Sequence, residues 1–76
     1  MTQTIPLFFI SDGQSATLVK INAGRSLHQR LLEIGMVEGA EVTVHKNKSG
    51  SLIVDVEGSR YALGCGMAMK ILVKES

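Results

Sequence analysis

The residues with the greatest chemical reach in this chain are one thiol, two neighbouring thioethers and two imidazoles. Cys65, Met67 and Met69 fall within five residues of one another, a set of soft sulfur donors that suits copper(I) or zinc better than ferrous iron. His28 and His45 add nitrogen donors. Neither has a second donor at i+4 on a helix or i+2 on a strand, the spacings that bring two side chains to one ion. These five are weak metal candidates. The plainer interpretation is that Met67 and Met69 fill gaps in a small core, Cys65 is a small hydrophobe and both histidines are solvated. Read as function, the set describes a transition-metal-binding protein or metallochaperone using Cys65 with Met or His ligands.

No grouping of catalytic type accompanies these donors. There is no serine or cysteine at a suggestive distance from a histidine, no P-loop glycine pattern and no two carboxylates placed on one element. No catalytic residue and no cofactor is therefore expected, and the chain is not read as an enzyme. The other available chemistry is recognition. Arg25, His28, Gln29 and Arg30 lie on the outer face of a helix, either as a solvated face in which Arg30 pairs with Glu33 at i+3 or as a docking face for an acidic partner. Arg25, His28 and Arg30, with Cys65 and Met67, are the candidate partner-binding residues. A groove for PxxP peptides needs a row of exposed aromatics, and only Tyr61 offers itself.

Composition narrows the class. A chain of 76 residues makes one domain, spanning 1–76 with a core from about residue 7 to 73. A chain this short buries only about 60% of the surface its unfolded form exposes. At 45% hydrophobic and 20% charged it is an ordinary folded domain rather than a disordered one. Eight basic residues against seven acidic ones, without a basic block, give no footprint of a nucleic-acid binder, and 4% aromatics leave little to stack on bases. The single cysteine excludes an internal disulfide and fits a reducing compartment. The longest apolar run, 5–10, is far below the roughly 20 residues of a membrane helix and lacks the basic flank of a signal peptide. A cytoplasmic chain without membrane insertion is the expectation.

The elements that position these residues follow from periodicity. Leu27, Leu31 and Ile34 at i, i+4 and i+7 make one apolar helical stripe, with Leu32 widening it. Ser26 is placed to cap the helix and Gln29 stands at the capping-box spacing. Gly35 supplies the left-handed stop, and Met36 is placed to return to Leu31 in a Schellman ending. Gly39 permits a second tight turn. Val42 and Val44 then alternate with Glu41, Thr43 and His45 as a half-buried strand whose outward face carries His45.

Before the helix, Met1 to Thr4 read as a frayed end, and Leu7 and Ile10 suit a short turn over one end of the core, from which Phe8 and Phe9 cannot both point inward. Asp12-Gly13 marks a turn, and 16–21 read as a strand with Val19 and Ile21 on one face. After the helix, Asn47-Lys48-Ser49-Gly50 suits a hairpin loop to a strand whose inward residues are Leu52, Val54 and Val56. Glu57-Gly58 closes a second hairpin into 59–63. Gly64 to Met69 reads as a single helical or 3₁₀ turn, and Ile71 and Val73 are the buried side of a last strand. The sum is a mainly β fold: five short strands in a partly open barrel, one helix between strands 1 and 2, and a short helical turn before the last strand.

The run Leu31-Leu32-Glu33-Ile34-Gly35-Met36-Val37-Glu38-Gly39-Ala40-Glu41-Val42, with Gly50 and Gly58-Ser59-Arg60-Tyr61-Ala62-Leu63, closely resembles the FeoA family of ferrous iron transport proteins. It also resembles the SH3-like C-terminal domain of iron-dependent repressors of the DtxR type. The resemblance covers about Leu7 to Val73 and implies an SH3-like barrel, no enzymatic activity, and an accessory role beside FeoB, a membrane transporter with a cytoplasmic G domain. Most of the matching residues determine the fold rather than a site, and no metal-ligand set is carried over. Where many relatives bear charged residues, this chain has Gly64-Cys65-Gly66-Met67-Ala68-Met69, an apolar replacement that suggests a contact surface. The DNA-binding and metal-binding domains of the repressors have no counterpart here, which disfavours a repressor.

Overall fold

The computed structural model describes residues 3–46 and 51–75. A two-residue strand β1 (Ile5–Pro6) runs into a 3₁₀ turn (Leu7–Phe9). Strand β2 (Ser15–Ile21), helix α1 (Arg25–Glu33), strands β3 (Glu41–Lys46), β4 (Leu52–Val56) and β5 (Ser59–Leu63), the single-turn helix α2 (Cys65–Ala68) and strand β6 (Ile71–Glu75) follow. The strands form one antiparallel sheet in the order β1-β6-β2-β3-β4-β5. The five expected strands are present, and Ile5–Pro6 adds a short sixth at the β6 edge.

One face of this curved sheet closes on a core of buried aliphatic side chains, among them Leu18, Val42, Val44, Leu52, Val54 and Val73. Leu52, Val54 and Val56 alternate inward as expected, and so do Ile71 and Val73. Leu7 and Ile10 plug one end from the 3₁₀ turn. Phe8 is half-buried, with Lys46 Nζ over its ring at 5.7 Å, while Phe9 is 58% exposed. One phenylalanine in and one out is what a three-residue turn allows.

In β2 the strict alternation fails. Ala16 and Leu18 face the core, but the register against β6 shifts between Leu18 and Lys20, and Ile21 is the next buried residue. Val19 is the extra residue of a β-bulge and is only partly buried, so it does not share a face with Ile21. The bulge lets Leu18 and Ile21, three apart, both point inward. It lies where Leu18 N–H donates to Ala40 O and Gly39 N–H donates to Leu18 O, each over 2.8 Å, which ties β2 to the loop entering β3.

Helix α1 begins earlier than Ser26. Gly24 is the N-cap, in extended conformation and without a side-chain cap, and His28 N–H donates to Gly24 O. Ser26 thus sits inside the first turn, and no capping box with Gln29 forms. The C-terminus is as the glycine requires. Gly35 has φ +93°, Met36 N–H donates to Leu31 O over 3.0 Å and Gly35 N–H to Leu32 O over 3.1 Å, the two bonds of a Schellman motif. Leu31 and Met36 are both buried by it. Leu32, by contrast, is 41% exposed. The apolar stripe is therefore the narrow one of Leu27, Leu31 and Ile34, because a single helix laid across a sheet end offers only one line of contact.

The hairpin β4–β5 turns on two residues of positive φ, Glu57 at 50° and Gly58 at 82°, with Val56 opposite Ser59. This is a type I′ connection. Lys46 pairs with Leu52 in the β3–β4 hairpin, whose loop at 47–50 lies outside the described residues, as do Met1 and Thr2.

Candidate docking groove

Helix α1 leaves a groove on each of its flanks. The larger, of about 200 Å³, runs between α1 and the β5–α2 corner and is lined by Leu27, Arg30, Leu31 and Ile34 on one wall and Tyr61, Ala62, Leu63 and Met67 on the other. The smaller, of about 110 Å³, lies between α1 and β2 and is bordered by His28, Leu32, Lys20 and Glu38. Each groove lies beside the narrow stripe of α1, where the flanking His28, Arg30 and Leu32 are exposed and leave the space unfilled.

The candidate residues are accordingly sorted, not gathered. Arg30 and Met67 meet in the larger groove. His28 belongs to the opposite flank and Arg25 is exposed at the start of α1, so the mildly basic face is divided between two sides of the helix. Arg30 makes no ion pair with Glu33 or with any other carboxylate among the described residues. Its guanidinium is left over an otherwise apolar wall.

Cys65 is an exposed free thiol, and Met69, four residues on, is 44% exposed. Met67 is turned the other way and packs partly buried against the core. A single helical turn cannot point residues 65, 67 and 69 at one ion, since i and i+2 fall on different faces. Among the described residues no group of three or more His, Cys, Asp and Glu is placed to hold a metal ion.

His45 lies on the outward face as expected, with its side chain 40% exposed, but it is not free. Its Nε2–H donates to Asp55 Oδ2 across the β3–β4 pair over 2.9 Å, and Arg60 Nε stands 2.9 Å from Asp55 Oδ1. Arg60 reaches Oδ1 as an ion pair without the alignment of a hydrogen bond, so that buried oxygen keeps a charge contact only. Asp55 is the hub of a polar row on the outer face, in which Ser15, Thr43, Asp55 and Arg60 are successive cross-strand partners. Ser15 Oγ and Thr43 Oγ1 are 2.9 Å apart within it. Sequence reasoning missed this row, although the two-residue turn at Glu57-Gly58 fixes Asp55 opposite Arg60. With Arg60 73% exposed, the ion pair is worth at most about 1 kcal/mol.

Comparison with known proteins agrees with this geometry. The FeoA domain model matches residues 5–75. A Methanocaldococcus jannaschii protein, provisionally named Fe(2+) transport protein A, is 38% identical over 71 residues, covering 93% of this chain and 87% of that protein. The crystal structure of an iron uptake regulatory protein, FeoA, superposes with a TM-score of 0.86 at 30% identity, covering 97% of this chain and 99% of that one. The SH3-domain FeoA of Stenotrophomonas maltophilia, solved in complex with zinc, superposes with a TM-score of 0.77 at 29% identity, covering 96% and 88% of the two chains. The small SH3-like sheet is thus shared with solved FeoA structures, and the chain belongs to the FeoA family.

Proposed function

We propose that the chain is a non-enzymatic accessory protein of ferrous iron transport, acting in the cytoplasm by docking on the cytoplasmic part of a FeoB-type transporter. The observation that carries this reading is the larger groove, an apolar trough with one unpaired guanidinium at its wall, next to the Gly64–Met69 segment. A surface of that kind orients a partner through one charge and gains affinity from the apolar floor. Arg30 and Met67 are its centre, with Cys65 at the margin, and Arg25 and His28 extend the contact only if the partner wraps around α1. Membership of the FeoA family and the ferrous transport name of the archaeal relative support the assignment to iron uptake. No helix among the described residues is long and apolar enough to cross a membrane.

The test is a titration of isotope-labelled protein with the transporter's cytoplasmic G domain, following backbone amide shifts. Saturable shifts at Arg30, Tyr61 and Met67 are expected, and Arg30→Glu should weaken the complex about tenfold or more, the scale of one lost interfacial charge contact. Unchanged spectra at saturating domain would refute the reading.

A further inference from the structure

Among the described residues the sheet ends at β5, which has β4 as its one strand neighbour. Because the turn between them has two residues, Val56 and Ser59 form a hydrogen-bonded pair, and so do Val54 with Tyr61 and Leu52 with Leu63. The alternate residues Arg60 and Ala62 therefore direct their N–H and C=O groups away from β4. No other backbone group among the described residues meets them.

The two edges of the sheet are not equally protected. β1 is two residues long and contains Pro6, both of which block the approach of another strand. β5 is five residues long, has an unbroken register and carries neither lysine nor proline. Its single charged side chain, Arg60, is paired with Asp55. Unlike β1, this edge is built to accept a strand.

What it accepts is set by the groove beside it. Tyr61, Leu63 and Met67 offer space for an aliphatic side chain, and Arg30, on the far wall, lacks a carboxylate. We propose that β5 takes up an extended acidic segment of a protein partner as an added antiparallel or parallel strand. The segment's backbone pairs with Arg60 and Ala62, one aliphatic side chain enters the groove, and a nearby carboxylate meets Arg30. The inference deepens the docking reading and rests on it for the source of the segment, but the strand site itself stands on the edge geometry.

The experiment uses two probes on the labelled full chain: an acetylated and amidated heptapeptide alternating valine with glutamate, and the transporter's cytoplasmic G domain. At millimolar peptide, saturable shifts centred on Arg60 and Ala62 are expected, with amide exchange there slowed about tenfold. Ala62→Pro removes an N–H that β4 does not use and should weaken binding by about tenfold or more, while Ala62→Thr, which keeps the N–H, should not. Arg30→Glu, which leaves the hairpin untouched, should weaken it to a similar degree and serves if Ala62→Pro fails to fold.

Peptide shifts away from β5, or full affinity in both Ala62→Pro and Arg30→Glu, would overturn the strand site. So would protection of the same amides by self-association in the absence of peptide, which would make a second copy the occupant. A G domain that binds elsewhere while the peptide does not bind overturns the strand site and leaves docking intact. A peptide that binds β5 beside an inert G domain supports the strand site and removes the transporter as its partner.

Discussion

Gly35 is the residue on which the helix and the sheet turn together. Its φ of +93° is a left-handed position, and a Cβ there would lie 3.3 Å from Glu57 Oε2 and 3.4 Å from Val56 Cγ1. The glycine thus meets two demands, a backbone that side-chain-bearing residues avoid and a close approach to the β4–β5 turn. Gly35→Val is expected to destabilise the protein by about 1–3 kcal/mol, combining the left-handed cost of a β-branched residue with the tight contact. A lower denaturant midpoint with unchanged slope would show it, and an unchanged midpoint would mean that the helix tolerates another ending. Everything in this motif was visible in the order Leu31, Ile34, Gly35, Met36. The contact with Val56 and Glu57 was not, because it joins residues more than twenty apart in the chain.

At the level of elements, the β4–β5 hairpin shows how a local rule is met with an imperfect residue. A type I′ turn needs positive φ at both central positions, and Glu57 occupies the first at 50°. Glutamate bears the cost of that conformation and asparagine largely escapes it. Glu57→Asn is therefore expected to stabilise the protein by about 0.5–1 kcal/mol in denaturant melts. A loss of stability instead would show that the Glu57 side chain beside Gly35 contributes more than its backbone costs. The hairpin was legible from Glu57-Gly58 between alternating runs, and its register places Asp55 against Arg60. The start of α1 was not legible. Ser26 and Gln29 carry the spacing of a capping box, yet the helix begins at Arg25, since a cap signal states what a position can do and the packing of the stripe decides where the first turn sits. The bulge in β2 belongs to the same class. Val19 and Ile21 alternate like strand residues, but β2 must pair with β6 on one side and meet the 39–40 loop on the other, and the extra residue absorbs the mismatch.

For the molecule as a whole, the fold separates groups that the sequence set side by side. Cys65 and Met69 are presented to solvent, Met67 is drawn inward, His28 lies on the far flank of α1, and His45 is taken by Asp55. The five donors therefore do not meet at one point. Cys65→Ser is expected to leave anaerobic titrations with zinc and with ferrous iron unchanged, followed by amide shifts. Loss of a stoichiometric zinc response in the variant would assign the thiol as a ligand and revive the metallochaperone reading. The same separation leaves Arg30 and Met67 as the two partner candidates that the fold does bring together, at the larger groove.

The sequence by itself determined the elements and their inward faces: the stripe of Leu27, Leu31 and Ile34, the stop at Gly35, the alternation of Val42 and Val44 and of Leu52, Val54 and Val56, and the turn at Glu57-Gly58. These are signals of short range, carried by side-chain period and by residues with special backbone freedom, so they can be read along the chain. Tertiary structure alone decided which polar groups met. The Asp55 hub, the division of the basic face by α1, the unpaired Arg30 and the open edge of β5 depend on strand order and on how a nine-residue helix lies across the sheet end. Distance along the chain carries no record of those contacts, and the free edge is a property of the sheet rather than of any residue in it.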